Sequence, residues 1–211
     1  IYPGLVIGTG YLHSAYAEDE IKLGFYFDYT SGQPVIPGSS VKGLLRSVFP
    51  SYNKDLSSKK NNYESRCSYI QKILKDQNIN LDEEGIRKLE LAIFDGIEFD
   101  KDGKVVNKAM YKRDIIFDAY ITSKGNKILG TDYITPHKSK KNDVPDEFCN
   151  PDPLKMLKVL PDVSFKFQFN LKETVIGDCK VTPGNKLVLF KQILLDFGIG
   201  AKTNVGFGKF V

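Results

Sequence analysis

The chain has 211 residues, of which 41% are hydrophobic and 27% are charged, and its net charge at pH 7 is +4. This composition excludes a disordered chain and allows one globular domain with insertions or two small domains. No stretch approaches the roughly twenty apolar residues of a membrane-spanning helix, so we expect no membrane association.

The first half of the chain predicts a strand and then three helices. Aromatic and aliphatic side chains alternate over Ile21–Tyr29, which is typical of a half-buried strand. Ser39 or Ser40 is expected to cap a helix whose apolar face is formed by Val41, Leu44, Leu45, Val48 and Phe49. Two further helices are predicted over Glu64–Asp76 and Asp82–Phe94.

The second half predicts strands and one more helix. The β-like runs Asp114–Thr122 and Ile128–Thr135 are expected to pair as a long protruding hairpin, and Val163–Leu171 alternates as another strand. Thr182 should cap a final helix that begins at Pro183 and ends at Gly198. The tail Gly206–Val211 is expected to be a closing strand. This order of elements indicates an α+β, ferredoxin/RRM-like sheet with helices on one face.

Basic residues are concentrated in the middle of the chain. Between Lys101 and Lys141 there are ten Lys or Arg residues and four Asp or Glu residues, a local charge of +6. Such a segment on a near-neutral chain indicates a polyanion footprint, although a solvated lysine-rich surface would have the same composition.

Two segments that contain several small residues and glycines are candidate phosphate sites. In Gly198–Lys209 the residue before Lys202 is Ala201, which rules out a Walker A loop, and Thr203 occupies the position where a dinucleotide motif needs glycine. Glycines still let backbone N–H groups approach a phosphate, and Lys202 adds a cation. The segment Pro37–Gly43 supplies a helix N-terminus, two hydroxyls and a lysine. A plain turn and simple capping remain the alternatives.

Candidates for catalysis and metal binding are few. His13 and His137 are the two histidines, and His137 lies beside lysines, which suits contact with a phosphate backbone. Three widely spaced cysteines match no zinc pattern and suit a reducing cytoplasm. Asp114, Asp118 and Asp132 could assist RNA cleavage, but structural roles are favoured for each. We therefore expect no enzyme activity, no cofactor and no metal.

The motifs together resemble one known superfamily. The segment VIPGSSVKGLLR (Val35–Arg46) is similar to the IPGSSLKGxLR helix start of the RAMP superfamily of CRISPR-associated proteins, and GAKTNVGFG (Gly200–Gly208) is similar to its glycine-rich loop. Their order with DIIFDA (Asp114–Ala119), DYITPH (Asp132–His137) and NPDP (Asn150–Pro153) resembles the family of the sixth subunit of the type III-B Cmr complex.

This resemblance implies a fold and a domain organisation. The chain is expected to be a single RAMP domain over residues 1–211, with the ferredoxin/RRM-like core of Cas7-type subunits. A helical insertion is expected around residues 50–95, and a basic insertion that forms a thumb β-hairpin around residues 101–155.

The resemblance also implies a function and a set of partners. Members of this family are cytoplasmic, non-catalytic subunits of an antiviral ribonucleoprotein. They bind the guide RNA backbone near its 3′ end and help to position target RNA. The implied partners are guide RNA, target RNA and the first, fourth and fifth Cmr subunits. The implied RNA-binding residues are Ser39, Ser40, Lys42, Arg46, His137, Lys138, Gly200, Lys202, Thr203 and Asn204. An RNA endonuclease and an assembly subunit with mainly protein contacts are the alternatives.

Overall fold

The computed structural model describes residues 4–6, 26–50, 60–100, 103–123, 125–134 and 154–210. They belong to two compact units. Unit 1 comprises Ile1–Ile36, Tyr120–Lys166 and Gly198–Val211, and unit 2 comprises Pro37–Ala119 and Phe167–Phe197. Both helices and strands are present, which confirms a mixed α and β fold. No helix within these residues is long and apolar enough to cross a bilayer.

The elements are named here in chain order. Among the described residues, the α-helices are α1 (Gly38–Ser47), α2 (Lys60–Lys75), α3 (Glu83–Glu90) and α4 (Pro183–Phe197). The strands are short: β1 (Tyr26–Phe27), β2 (Pro34–Val35), β3 (Ile97–Phe99), β4 (Val105–Asn107), β5 (Ile115–Ile116), β6 (Tyr120–Ser123), β7 (Leu129–Ile134), β8 (Leu154–Val159), β9 (Ser164–Lys166), β10 (Phe169–Asn170), β11 (Thr174–Ile176) and β12 (Cys179–Val181).

The helices of unit 2 form where the sequence predicts them. Asp82 caps α3 by accepting a hydrogen bond from the Gly85 N–H at 2.7 Å. A π-helical turn, Leu91–Asp95, continues α3 and ends at Gly96, whose φ of 66° requires glycine-like freedom. At α4, the Asn185 N–H donates to Thr182 Oγ1 and the Thr182 N–H donates to Asn185 Oδ1, so the predicted cap is confirmed.

Apolar helix faces form the core of unit 2. The side chains with essentially no exposure include Leu45, Phe49, Ile70, Leu74, Ile86, Leu89, Leu189, Phe190 and Ile193. Phe49 packs edge-on against Phe94 with ring centroids 5.3 Å apart, and Phe169 of β10 packs against Phe190 of α4 at 5.4 Å. Burial of this apolar area is the main favourable term for the unit.

The described part of unit 2 also contains three antiparallel strand pairs. β3 pairs with β4, β5 pairs with β10, and β11 pairs with β12 through a two-residue turn at Gly177 and Asp178. Gly177 has a φ of +56°, the left-handed conformation that the first central residue of such a turn needs. The β11–β12 hairpin was absent from the sequence prediction, although its glycine–aspartate turn is a usable signal.

Three antiparallel strand pairs are likewise found where unit 1 is described. β1 pairs with β2, β6 pairs with β9, and β7 pairs with β8 over six residues. Leu5 exchanges backbone hydrogen bonds with Val159 of β8, at 3.0 and 2.9 Å. Leu5, Ile36 and Val159 are fully buried, and Val163 and Ile199 nearly so.

Three predictions about strands were wrong. The runs Asp114–Thr122 and Ile128–Thr135 do not pair with each other, because β6 is bound to β9 and β7 to β8. The run Val163–Leu171 is divided into β9 and β10, which belong to different units. In the tail, Thr203–Val205 is a 3-10 helix and a turn follows it at Gly206, because glycines with positive φ interrupt an extended chain.

Within the described residues the strands pair two by two. The four-stranded ferredoxin/RRM-like sheet therefore stays a prediction. A thumb in the basic insertion also stays a prediction, but the two runs expected to form its hairpin pair with other strands. The single-domain organisation and the two insertions around residues 50–95 and 101–155 stay predictions too.

Candidate nucleic-acid interface

The start of α1 carries the first group of predicted binding residues. Pro37 is the N-cap and makes no side-chain cap hydrogen bond, so the helix begins at Gly38 and the predicted serine cap was wrong. Ser39 and Ser40 therefore lie in the first turn, where Ser39 is exposed and Ser40 half-buried. Lys42 is exposed one turn further along. Ser39 and Lys42 are thus accessible donors beside a helix N-terminus.

A carboxylate from elsewhere in unit 2 replaces the serine cap. Asp118 Oδ1 accepts a hydrogen bond from the Gly38 N–H at 2.6 Å. A side chain at position 38 would lie about 2.5 Å from the Ile116 carbonyl oxygen, so glycine lets the two backbones meet. The anion that binds the Gly38 N–H at this helix N-terminus is thus Asp118 of the chain itself, and phosphate binding here stays a prediction.

Arg46, at the end of α1, is held in an ion pair within the unit. Its guanidinium donates to both carboxylate oxygens of Asp95, at 2.9 and 2.8 Å, and Glu90 lies 3.9 Å away. The Arg46 side chain is 35% exposed and that of Glu90 only 1%. This bidentate ion pair fixes α1 against the π-helical turn that continues α3. Arg46 is therefore engaged in holding the unit together, whatever else it contacts.

The glycines of the second segment are explained by close packing. A side chain at Gly198 would lie about 2.6 Å from the Gly208 carbonyl oxygen, and side chains at Gly200 and Gly208 would collide with the carbonyls of Val6 and Ile199. All three glycines have positive φ. The Ala201 N–H donates to the Val6 carbonyl at 2.6 Å. The glycines thus bring the C-terminal loop onto the N-terminal residues around Val6. The sequence pattern alone could not distinguish this packing from a phosphate cradle.

Lys202, Thr203 and Asn204 form the outer part of this loop. Lys202 and Asn204 are exposed and Thr203 is half-buried. Lys202 has a φ of 60°, a left-handed conformation that costs a non-glycine residue roughly 1 kcal/mol. A glycine at position 202 would be less strained than the lysine that is present. A strained residue of this kind is an outlier from which a functional role can be inferred.

A second lysine lies beside this loop and was missed by the sequence analysis. Lys158 of β8 pairs with Asp132 of β7 at 2.9 Å, and its ammonium lies 5.7 Å from the centre of the Phe207 ring. The Lys158 hydrogen bond, aided by the Tyr133 N–H and the charge of Lys202, holds the pKa of Asp132 below its ordinary value of 3.8. Lys158 and Asp132 are brought together by the β7–β8 register, which could not be predicted from the sequence.

The acidic residues considered for RNA cleavage have structural partners. The Asp114 side chain is fully buried and accepts a hydrogen bond from Lys186 Nζ at 2.5 Å and another from the Lys172 N–H at 2.6 Å. Asp118 caps α1, and Asp132 pairs with Lys158. Across the described ranges, no group of three or more His, Cys, Asp or Glu side chains could hold a metal ion.

The structure places the predicted residues in two groups. Ser39, Ser40, Lys42 and Arg46 belong to unit 2, and Gly200, Lys202, Thr203 and Asn204 belong to unit 1. His137 and Lys138 lie outside the described residues. Each group is compact within its own unit, and the expectation that they form two walls of one groove stays a prediction.

Two exposed aromatic side chains of unit 2, one of them beside α1, add to the accessible groups of this unit. Phe117 is 45% exposed, and its backbone lies against the start of α1, next to Gly38. Tyr111 is 73% exposed, with the Lys112 ammonium 5.8 Å from its ring centre. Aromatic faces beside basic groups are the usual platform for unpaired bases. The β-like run Asp114–Thr122 did not predict this exposure, because β5 contains only two residues and ends before Phe117.

Comparisons with known proteins agree with the superfamily that the motifs resemble. A sequence model described as the RAMP superfamily matches residues 1–211. The chain is 30% identical over 189 residues to the CRISPR system CMR subunit Cmr6 of Saccharolobus solfataricus. That match covers 89% of this chain and 48% of the relative, so the chain spans about half the length of the curated relative that it matches.

The structure also matches two solved structures. A chain in a cryo-EM structure of the type III-B Cmr-beta complex bound to cognate target RNA has a TM-score of 0.50 and 24% identity, over 88% of this chain and 47% of that one. The crystal structure of Cmr6 from Pyrococcus furiosus has a TM-score of 0.49 and 22% identity, over 97% and 91% of the two chains.

Proposed function

Since the chain belongs to the RAMP superfamily, we propose that it is an RNA-binding subunit of a type III-B Cmr effector complex, in the role of its sixth subunit. The observation that carries this proposal is the 30% identity to a Cmr6 subunit over 189 residues of this chain. In this role the chain binds the guide RNA backbone near its 3′ end and helps to position complementary target RNA for antiviral defence in the cytoplasm.

The α1 surface of unit 2 supplies the first set of contacts. Ser39 and Lys42 are exposed, so their hydroxyl and ammonium groups can donate to phosphate oxygens without regard to base sequence. Phe117, exposed next to the start of the helix, offers an aromatic face for a neighbouring base. Because Asp118 already binds the Gly38 N–H, contact with phosphate depends on these side chains more than on the helix terminus.

The C-terminal loop of unit 1 supplies the second set. Lys202 contributes a cation, and Thr203 and Asn204 contribute neutral donors. The role of Gly200 is to let the loop pack on Val6, which holds Lys202 in its outward position. Arg46 is assigned to the ion pair with Asp95, and its contribution to RNA binding is indirect through the position of α1.

The partners and the basic insertion follow from the same proposal. The Cmr-beta complex that contains the fold relative is bound to cognate target RNA. We propose that the partners of this chain are target RNA, guide RNA and the first, fourth and fifth Cmr subunits. His137 and Lys138 would contact the RNA backbone from the basic insertion around residues 101–155.

A non-catalytic role is part of the proposal. It is supported by the partners of the three candidate aspartates, since Asp114 is buried against Lys186 and Asp132 is paired with Lys158. Asp118→Asn in the assembled complex should leave target-RNA cleavage unchanged. Loss of one specific cut with RNA binding preserved would instead assign catalysis to this chain.

Crosslinking tests RNA binding directly. Guide RNA with a thio-modified base at successive positions is assembled with the other subunits and irradiated. We expect crosslinks to this chain from positions near the 3′ end, mapping to peptides that contain Lys42 or Lys202. Crosslinks to every other subunit but none to this chain would assign it an assembly role with protein contacts alone.

A further inference from the structure

Backbone hydrogen bonds close the outer turn of the C-terminal loop in unit 1. The Phe207 N–H donates to the Lys202 carbonyl at 3.3 Å, and inside this turn the Gly206 N–H donates to the Thr203 carbonyl at 3.1 Å. Lys202 precedes the 3-10 helix of the loop and Gly206 follows it, and both have positive φ. A shift of the Phe207 backbone would therefore shift Lys202 as well.

The Phe207 side chain lies under a lysine of β8. Phe207 is half-buried, and the Lys158 ammonium lies 5.7 Å from the centre of its ring, a distance at which the ring face attracts a cation. The next residue, Gly208, donates its N–H to the Gly4 carbonyl at 2.8 Å. A side chain at Gly4 would lie about 3.4 Å from Lys158 Cδ, so the stem of this lysine passes close to Gly4. Lys158 thus lies against the residues that follow the turn.

A carboxylate of β7 fixes the Lys158 ammonium. Asp132 Oδ2 accepts a hydrogen bond from it at 2.9 Å, and Asp132 Oδ1 accepts one from the Tyr133 N–H at 2.8 Å. The Lys158 and Tyr133 hydrogen bonds lower the pKa of Asp132, and the charge of Lys202 adds to that effect. The carboxylate is therefore ionised at neutral pH and attracts both lysines.

The two lysines differ in what they present to solvent. Lys158 is 21% exposed at its side chain, and its ammonium is shared between the Asp132 carboxylate and the Phe207 ring. Lys202 is exposed at the tip of the turn. Lys202 is thus the cation that a ligand would meet first, and Lys158 is part of the support beneath it.

We propose that Lys158 and Phe207 are positioning residues for the contact of Lys202 with an RNA phosphate. The inference rests on the proposed function, in which Lys202 binds the RNA backbone. Lys158, fixed by Asp132, holds the Phe207 ring, and the ring holds the turn that directs Lys202 outward. Lys158 itself makes no contact with RNA.

A double-mutant cycle separates positioning from direct contact. Lys158→Met, Lys202→Ala and the double variant are compared in the full chain, and binding of fluorescein-labelled single-stranded RNA is measured by anisotropy over a series of salt concentrations. Lys202→Ala should make the slope of log affinity against log salt shallower by about 0.7, the loss of one phosphate contact. Lys158→Met should weaken binding about threefold, and it should add nothing in the Lys202→Ala variant.

Three further variants serve as controls. Lys155→Met removes a lysine from the same strand three residues earlier, and so from the opposite face of the β7–β8 hairpin, and it should bind RNA as the wild type does. Lys158→Arg should also keep the wild-type affinity, because a guanidinium pairs with a carboxylate and stacks on an aromatic ring. Phe207→Leu should weaken binding as Lys158→Met does. Thermal unfolding checks that each variant is folded.

Two results would overturn the positioning role while RNA binding by Lys202 stands. One is an affinity of Lys158→Met that equals that of the wild type or of Lys155→Met. The other is a further loss, with a further change of slope of about 0.7, when Lys158→Met is added to Lys202→Ala, since Lys158 would then contact a phosphate itself. If Lys158→Met fails to fold, Phe207→Leu takes its place in the cycle.

Failure of the proposed function would have a different signature. Lys202→Ala alone would then leave both the affinity and the salt slope unchanged. That result would remove the RNA contact of Lys202 and the positioning role together.

Discussion

Lys186 of α4 places its ammonium 2.5 Å from Asp114 Oδ2, and both side chains are completely excluded from solvent. The same ammonium donates to the Lys172 carbonyl at 2.7 Å and to Thr174 Oγ1 at 2.9 Å, so each of its three protons has an acceptor. Burial lowers the pKa of Lys186, and the Asp114 carboxylate opposes that shift. Asp114 also binds the Lys172 N–H, so the pair ties α4 to the residues before β5 and after β10.

Removing one member of this pair should destabilise unit 2 strongly. Lys186→Met leaves the Asp114 charge buried without its cation, which should lower the free energy of unfolding by about 3–5 kcal/mol. Lys191→Met, an exposed change on the same helix, is the control and should have little effect. Urea denaturation measures both variants, and equal stability of the two would contradict the structural role of the pair.

Arg46 is expected to act through stability. Arg46→Ala breaks the two-pronged contact with Asp95, and because the side chain is 35% exposed we expect a loss of about 1–2 kcal/mol. Lys42→Ala on the same helix should leave stability unchanged, since Lys42 is exposed. The comparison is made by urea denaturation without RNA. If Arg46→Ala were as stable as the wild type, the residue would be available for RNA as the superfamily resemblance implied.

The Asp132–Lys158 pair should contribute stability that depends on pH. The pKa of Asp132 is below 3.8 in the folded chain, so the contribution is present above about pH 3.8 and is lost as pH falls through the folded value. Asp132→Asn should therefore lower the Tm by about 1–3 °C at pH 7 and leave it unchanged near pH 2. A difference from the wild type that is constant across this range would show that the charge of Asp132 is irrelevant.

Replacing Lys202 with glycine should preserve stability but weaken RNA binding. Glycine adopts a φ of 60° without strain, so Lys202→Gly should leave the Tm unchanged or slightly raised. Removal of the cation should nevertheless weaken RNA binding. A matched change, Lys166→Gly in β9, should instead lower the Tm, because glycine weakens a strand interior. A clear loss of Tm in Lys202→Gly would contradict the strain inferred at this position.

Local signals allowed the helices to be predicted from sequence. Asp82 and Thr182 are caps that act within three residues, and the apolar spacing of Val41 and Leu45 marks one face of α1. These features depend on contacts between residues close in sequence, so they can be predicted from one sequence without an alignment. The motifs that indicated the RAMP superfamily were likewise short and contiguous, and that assignment is confirmed over residues 1–211.

The strand pairings and much of the site could not be predicted, because they depend on distant residues. Asp118 caps a helix that begins eighty residues earlier, and this contact displaced the expected serine cap. β6 and β7 are neighbours in sequence, yet β9 and β8 are their partners. Similarly, the positive φ of Gly208 reflects its contact with Ile199, which no spacing rule contains.

RNA binding through the two exposed lysines is the central claim, and one measurement tests it most directly. The double variant Lys42→Ala with Lys202→Ala is compared with Lys75→Ala with Lys166→Ala, which removes the same charge from exposed positions in the same two units. Binding of single-stranded guide-length RNA is measured by anisotropy over a series of salt concentrations.

We expect the first variant to bind more weakly at every salt concentration. The negative slope of its log affinity against log salt should become shallower by about 1.4, which corresponds to the loss of two phosphate contacts with single-stranded RNA. The control variant should keep the wild-type slope. Equal affinities and equal slopes for the wild type and both variants would contradict the account.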